Sequence, residues 1–288
     1  MINFAEKMNN SELFLYIKQE ISLVYDNDPN AIKSVAVRIF SHLYNITLTD
    51  ILMHPEKEIE NFSLEKIRGI LERIKKHEPL EYIFNNAQFL DLELFTESSV
   101  LIPRPETEEL AMMVSKELKN TDETFEIGLG SGCISIYLAK NHPDKKFYGC
   151  DISEKALKVC EKNIKKYNLK NLKFFLTDIF SFQTDKKFDV IISNPPYVTE
   201  SEKLLMQKNV LDYEPFTALF VPDNDALKFY KKISEFASTH LNAFGKLFFE
   251  INENFGKETA QVLESYGFKN VKIIKDGFGK DRFVKGDK

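Results

Sequence analysis

Cysteine is scarce: the chain has three, Cys133, Cys150 and Cys160, in 288 residues. The count is odd and no C-x-x-C occurs, which excludes a disulfide framework and a thiolate zinc site. Each cysteine stands in or beside an apolar stretch, so all three are expected to be buried thiols. No apolar run is long enough to cross a bilayer. The first residues carry Glu6 and Lys7 and no long apolar core, so no secretory leader is expected, and a cytoplasmic location follows. A basic excess is missing as well, since the net charge is −5. Residues 1–95 hold 10 Lys and Arg against 15 Asp and Glu, and the remainder is balanced. A protein that grips a nucleic-acid backbone over a wide face carries a positive surplus, so direct nucleic-acid contact is not expected. There is no internal repeat and no low-complexity tract.

What is present is ordinary for a globular chain, with 43% hydrophobic and 29% charged residues. The length suggests two domains. Residues 1–80 read as helices. Ser11 is placed to cap a helix with Leu13, Phe14, Ile17 and Ile21 at helical spacing. Asp28-Pro29 suits a cap and first turn before Ile32, Val35, Ile39 and Leu43. Residues 47–53 suit a further short helix. Ser63 can cap another, with Phe62 and Ile67 as a hydrophobic staple and Ile70, Leu71 and Ile74 on its buried side. Glu78-Pro79 ends the series. These stripes read as a small helical core, and nothing among them has the spacing of a metal or nucleophile site.

The period then changes. Tyr82-Ile83-Phe84, a turn at Asn85-Asn86, and the alternating Leu90, Leu92 and Leu94 suggest two strands. This hairpin, over residues 81–99, is expected to connect the helical domain to a third segment, 100–288. Val100-Leu101-Ile102 leads into Pro103-Arg104-Pro105-Glu106-Thr107-Glu108, where two prolines hold an extended loop. Arg104 and Glu106 there suit the lining of a pocket as well as they suit a plain strand-to-helix linker. From residue 124 strands and helices alternate, the mark of a parallel sheet. Strands are expected near 124–128, 146–150, 172–176, 188–193, 245–251 and 270–275, with a further one near 282–284. Helices are expected near 132–141, 153–167, 225–241 and 256–266. Residues 198–224 read as irregular and suited to a lid or substrate loop.

The stretch richest in chemistry is Ile191-Ile192-Ser193-Asn194-Pro195-Pro196-Tyr197. An apolar strand ends at a polar residue and two prolines, which cannot extend a central strand because they lack the N–H that the ladder needs. The chain must leave the sheet at Asn194, at the carboxyl end of a strand, where open α/β sheets bind ligands. The Asn194 side-chain oxygen and the Pro195 carbonyl can accept the two hydrogens of a flat –NH2 group, and Tyr197 can cover its face. Two other strand ends carry acids. Glu126-Ile127-Gly128-Leu129-Gly130-Ser131-Gly132 allows a sharp turn and a close ligand approach, though such a loop alone is a weak signal. Asp151 ends the next strand and suits two ribose hydroxyls. Asp178 can accept from an adenine amine and Ile179 can pack on its ring. Each acid also reads as a helix cap or a solvated turn. Their shared placement with Asn194 favours a nucleoside cofactor. The glycine spacing is not that of a pyrophosphate site, while Glu106 and Glu126 favour a cationic ligand. Together these point to S-adenosylmethionine.

The chain resembles the class I methyltransferases and, more narrowly, the HemK/PrmC family that methylates glutamine N5 in peptide-chain release factors. The resemblance rests on Pro79-Leu80-Glu81-Tyr82-Ile83, Leu101-Ile102-Pro103-Arg104-Pro105-Glu106-Thr107-Glu108, Gly128-Leu129-Gly130-Ser131-Gly132 and Asn194-Pro195-Pro196-Tyr197. It extends to Tyr213-Glu214-Pro215, Glu250-Ile251 and residues 275–282. Asn-Pro-Pro-Tyr alone is shared with amine methyltransferases acting on nucleic-acid bases; the Pro103 to Glu108 stretch is the specific one. Glu126 stands where the family usually has Asp, Leu129 where Thr is common, and Ile179 where an aromatic often lies. The resemblance implies an α/β fold with a Rossmann-like sheet, a small helical N-terminal domain that docks the release factor, and S-adenosylmethionine as methyl donor. Arg104, Glu106, Glu126, Gly128, Leu129, Gly130, Asp151, Asp178, Ile179 and Asn194 would border the cofactor. Asn194, Pro195, Pro196 and Tyr197 would hold the glutamine of a Gly-Gly-Gln loop. A monomer is expected.

Overall fold

The computed structural model describes residues 7–118 and 123–288, so Glu6 of the leader argument lies outside the described residues. The chain divides into two compact units, Met1–Asn85 and Asn86–Lys288. The first is helical: α1 Asn10–Ile21, α2 Pro29–Tyr44, α3 Leu48–Met53, α4 Leu64–Lys75 and α5 Leu80–Ile83. Its helix starts follow from capping chemistry. Asn9, rather than Ser11, caps α1, because Glu12 three residues on returns a bond to the Asn9 backbone and closes a capping box. Asp28 accepts from Asn30 N and Ala31 N ahead of Pro29, and Ser63 accepts from Lys66 N. Leu13, Ile17, Ile32, Val35, Ile39, Ile67, Leu71 and Ile74 meet in one core.

Tyr82 and Ile83 form the helical turn α5 and not a strand. The local preference of Tyr-Ile-Phe is overridden by Arg73. Its guanidinium pairs with Glu78 and donates to the carbonyls of Tyr82 and Ile83 at 3.2 and 3.1 Å, satisfying the open end of the turn. Asn85, at φ +50°, then ends it. The hairpin therefore lies further on, β1 Ala87–Phe89 against β2 Leu92–Leu94. It is part of the second unit and not a free connector. Phe89, Leu92 and Leu94 are buried in that unit's core, and Asn163 and Tyr167 hydrogen-bond the backbone of Phe95 and Glu93.

The rest of the second unit comprises α6 Pro105–Glu117, β3 Glu123–Ile127, α7 Cys133–Asn141, β4 Lys146–Asp151, α8 Glu154–Lys166, β5 Leu172–Leu176 and β6 Phe188–Ser193. There follow β7 Val198–Thr199, α9 Lys208–Tyr213, α10 Phe216–Leu219, β8 Phe220–Val221, α11 Lys228–His240, β9 Leu241–Glu250, α12 Gly256–Ser265, β10 Lys269–Lys275 and β11 Asp281–Asp287. One seven-stranded sheet runs β10-β11-β9-β6-β3-β4-β5, parallel except for β11. The chain moves outward from β3 to β5 and then returns to the other side of β3 as β6. That reversal opens a crevice at the carboxyl ends of β3 and β6. Two apolar layers cover the sheet, one from α6, α7, α8 and the hairpin, the other from α11 and α12. Cys133, Cys150 and Cys160 are buried thiols, as expected. The segment read as irregular, 198–224, consists of short helical turns and the small parallel pair β7–β8.

Gly132 is the point where the glycine loop becomes α7. It has φ +81°, and a Cβ there would stand 2.6 Å from Cys160 Sγ and 2.9 Å from Ile136 Cδ1. Left-handed strain and overpacking add, so Gly132→Ala should lower the unfolding free energy by about 2–4 kcal/mol. A urea titration within 0.5 kcal/mol of wild type, on the order of normal surface scatter, would contradict this account of the loop.

Candidate active site

The register of the sheet builds the site. Ile127 of β3 pairs with Cys150 on one side and Ser193 on the other, Asp151 pairs with Leu176, and Ser193 pairs with Phe249. The chain therefore leaves the sheet at one level as Gly128, Asp151, Asn194 and Glu250. A cavity of about 410 Å³ lies over these ends, within the size range of small-ligand sites. Arg104, Glu126, Gly128, Leu129, Gly130, Asp151, Asp178, Ile179, Asn194, Pro195 and Pro196 all line it. Two expected residues do not. Arg104, the extended residue that precedes α6, and Thr107 in its first turn both line the cavity, whereas Glu106 between them does not. Tyr197 turns its hydroxyl away to donate to Glu250 Oε1 at 3.1 Å.

Each acid has a structural partner as well as an open face. Glu126 is buried and accepts from Ser135 N at 2.9 Å and from the Ser135 hydroxyl. It thereby satisfies one of the unpaired N–H groups in the first turn of α7. Burial pushes its carboxyl up to about 8. Asp151 Oδ2 accepts from Gly130 N and Oδ1 from Ser153 N, both at 2.8 Å. It holds the glycine loop against the start of α8. Burial raises its carboxyl while these backbone donors oppose the rise. Asp178 Oδ1 accepts from Phe180 N at 2.9 Å in a local turn. The structural and ligand-binding readings of these acids are therefore compatible, because each carboxylate oxygen has a second lone pair.

At the other end, Asn194 Nδ2 donates to Thr107 Oγ1 at 3.1 Å. Among the described residues no hydrogen bond reaches Asn194 Oδ1. Arg104 pairs with Glu214 at 2.5 Å, and Glu214 also accepts from Ile102 N at 3.1 Å. This buried carboxylate ties the 198–221 segment to the proline-braced stretch. The acids lining the cavity are Glu126, Asp151 and Asp178, and no histidine lines it among the described residues. The described residues also hold no cluster of potential metal ligands, and no helix among them is long and apolar enough to cross a membrane.

Residues 29–84 match the PrmC N-terminal domain family and residues 107–212 the Methyltransferase small domain family. A release factor glutamine methyltransferase of Flavobacterium psychrophilum is 41% identical over 265 residues, covering 90% of this chain and 92% of that protein. The one from Bacteroides thetaiotaomicron is 40% identical, covering 93% and 96%. The chain belongs to the release factor glutamine methyltransferase family. A methyltransferase structure from Pyrococcus furiosus, 20% identical with a TM-score of 0.52, covers 75% of this chain and 96% of its own, and shares the fold.

Several residues that build this site have no local sequence signal for their contacts, and of Thr107, Glu214 and Glu250 only Thr107 lines the cavity. These three lay inside motifs that matched the family, yet their partners are 87, 110 and 143 residues distant in the chain. Phe180 and Phe229 also line the cavity, with ring centroids 5.5 Å apart. Phe180 immediately follows Ile179, so an aromatic is supplied beside the position where the family often has one.

Proposed function

We propose that this protein transfers a methyl group from S-adenosylmethionine to the side-chain amide nitrogen of the glutamine in a release factor Gly-Gly-Gln loop. The observation that carries the reading is Asn194, its Nδ2 committed to Thr107 and its Oδ1 open, followed by Pro195 at the wall of the cavity. The donor set fits the cofactor. Asp151 offers acceptors to two ribose hydroxyls, Asp178 an acceptor to an exocyclic amine, and Ile179 with Phe180 apolar cover for a base. Glu126 gives negative charge toward a sulfonium and an amino group. When bound, the cofactor supplies an electrophilic methyl group.

The chain's own task is positioning. A glutamine nitrogen is a weak nucleophile because its lone pair is delocalised into the carbonyl. Asn194 Oδ1 and the Pro195 carbonyl accept its two hydrogens and hold the lone pair in line. Such orientation replaces several kcal/mol of activation entropy, on the order of 7 or more in favourable cases. The same acceptors stabilise positive charge as it grows on nitrogen. With the cofactor bound, Asn194 and Pro195 would present the nitrogen lone pair to its methyl group, the electron pair of the broken S–CH3 bond would stay on sulfur, and an N–H proton would then leave to solvent. Tyr197, held by Glu250, stands next in the chain to pack on the amide plane once substrate enters. The helical unit docks the release factor. A monomer acting in the cytoplasm goes with this reading, and the acidic charge balance argues against wide nucleic-acid contact.

Mass spectrometry of Gly-Gly-Gln peptides, after incubating intact release factor with enzyme and S-adenosylmethionine, tests the proposal. One added methyl on the glutamine is expected. An unmodified glutamine, with labelled methyl appearing on RNA or DNA offered in parallel, would replace it with base methylation.

Glu126 makes cofactor binding pH-dependent. With its carboxyl at about 8 in the free protein, it is mostly protonated at pH 7. A cationic ligand favours the ionised form, so binding releases a proton and affinity rises from pH 6.5 to pH 8.5. Calorimetry at pH 7 in buffers of different ionisation enthalpy should show proton release approaching one (order of magnitude from the linkage relation). Glu126→Gln should flatten the pH dependence. Equal release in wild type and variant would exclude Glu126 as its source.

A further inference from the structure

Glu250 is a buried carboxylate that does not line the cavity and, in the chemistry above, acts only as the partner of the Tyr197 hydroxyl. Its surroundings are specific. Oε2 accepts from the Thr107 hydroxyl at 2.7 Å, and Oε1 accepts from the Tyr197 hydroxyl at 3.1 Å. Thr107 Oγ1 in turn accepts from Asn194 Nδ2 at 3.1 Å. One carboxylate at the end of β9 thus reaches both side chains that the glutamine reading assigns to substrate.

The polarity of this chain is forced. An ionised carboxylate only accepts, so the single proton of the Thr107 hydroxyl goes to Glu250. Thr107 can then only accept from Asn194, which must turn its NH2 toward α6. The two ends of an amide are nearly the same shape, and partner chemistry alone decides which one faces the cavity. We infer that Glu250 is a positioning residue: acting through Thr107, it sets the Asn194 amide with its oxygen toward the substrate nitrogen and, directly, it holds the Tyr197 ring. The inference rests on the glutamine-methyltransferase reading for its substrate, but not for its hydrogen-bond polarity.

The relay is sensitive to protonation. A protonated Glu250 has one O–H to donate and loses an acceptor. If that proton goes to Thr107, the threonine hydroxyl must seek another acceptor, and the nearest is the amide oxygen of Asn194 after a flip. The flip would present NH2 to substrate N–H groups and remove the acceptor. The groups facing Glu250 are Tyr197 after β6, Glu106 on α6, Tyr230 on α11, Arg282 on β11 and Cys133 on α7. Burial dominates and moves the carboxyl up to about 7, while Thr107, Tyr197 and Arg282 oppose the rise and Glu106 adds to it. Turnover should therefore fall as pH drops through that region.

The test compares wild type with Glu250→Gln, Thr107→Val and Thr107→Ser in the full-length protein. Glu250→Gln and Thr107→Val should each lower kcat on release factor by about 10- to 100-fold, the order seen when a group holding a catalytic ligand is removed. S-adenosylmethionine affinity by calorimetry should stay within about twofold, and Thr107→Ser should restore most of kcat. The wild-type acid limb in kcat should be absent from Glu250→Gln. Independently of any substrate, the side-chain amide NMR signals of Asn194 should titrate near pH 7 in wild type and not in Glu250→Gln or Thr107→Val. Asn194 signals that are flat with pH in wild type would overturn the relay, as would kcat near wild type in both variants. So would losses of kcat that simply track losses of cofactor affinity and Tm. A wild type that leaves release factor unmodified defeats the substrate reading alone, because the NMR titration still decides the relay either way.

Discussion

Asn194→Ala is expected to lower kcat by about 100- to 1,000-fold, the range found when one preorganised hydrogen-bonding group facing developing charge is removed. S-adenosylmethionine affinity is expected to change by about twofold or less, since the acceptors assigned to the cofactor lie on β3, β4 and after β5. The reasoning starts at the backbone. Ser193 is buried and its hydroxyl donates to Ile127 O at 2.7 Å, locking the end of β6 to β3. Pro195 then forbids further strand pairing. Asn194 is thus fixed by the sheet on one side and by Thr107 on the other, and its oxygen needs no reorganisation when substrate arrives. Truncation to Ala removes the oxygen and leaves Thr107 without its donor, while the backbone path through Pro195 and Pro196 is kept. A loss in kcat with KM for release factor nearly unchanged would mark a group that acts in the transition state. A variant with more than about a tenth of wild-type kcat would place the orienting acceptor elsewhere and outside the range expected here.

Much of this was legible because local rules and the tertiary structure agree. The strand ends at Asp151 and Asn194 can be read from apolar runs that stop at a polar residue or a proline, and both residues line the cavity. The caps at Asp28 and Ser63 follow from residue type alone. The failures have a common physical source in contacts distant along the chain. Tyr82-Ile83 has strand-forming residues, yet Arg73, nine residues earlier, holds their carbonyls as a turn. Glu106 and Thr107 are adjacent, and only the phase of α6 decides which faces the cavity. Glu250 reads as the end of a buried strand. Its link to Asn194 depends on the pairing of Ser193 with Phe249, a register that no local pattern encodes.

Asp151→Ala should weaken S-adenosylmethionine binding by about 100-fold or more. Two hydrogen bonds from ribose hydroxyls to a carboxylate contribute about 1.5–3 kcal/mol each, and about 1.4 kcal/mol corresponds to a factor of ten in affinity. The residue does more than present oxygens. Gly130 N and Ser153 N donate to its two oxygens, so the carboxylate is aligned before ligand arrives and the glycine loop is held in its bound-like turn. Removing it unties Gly130 as well, and part of the lost affinity is the entropy of a loosened loop. Asp151→Asn separates the two contributions. Its amide oxygen can keep one backbone bond, but its NH2 faces a donor where the second oxygen accepted. An affinity loss close to that of Ala, with Tm closer to wild type, would assign most of the effect to the charged acceptor. Calorimetry decides the assignment itself: Kd for S-adenosylmethionine unchanged in Asp151→Ala would remove this acid from the cofactor site and leave it as the clamp between the glycine loop and α8.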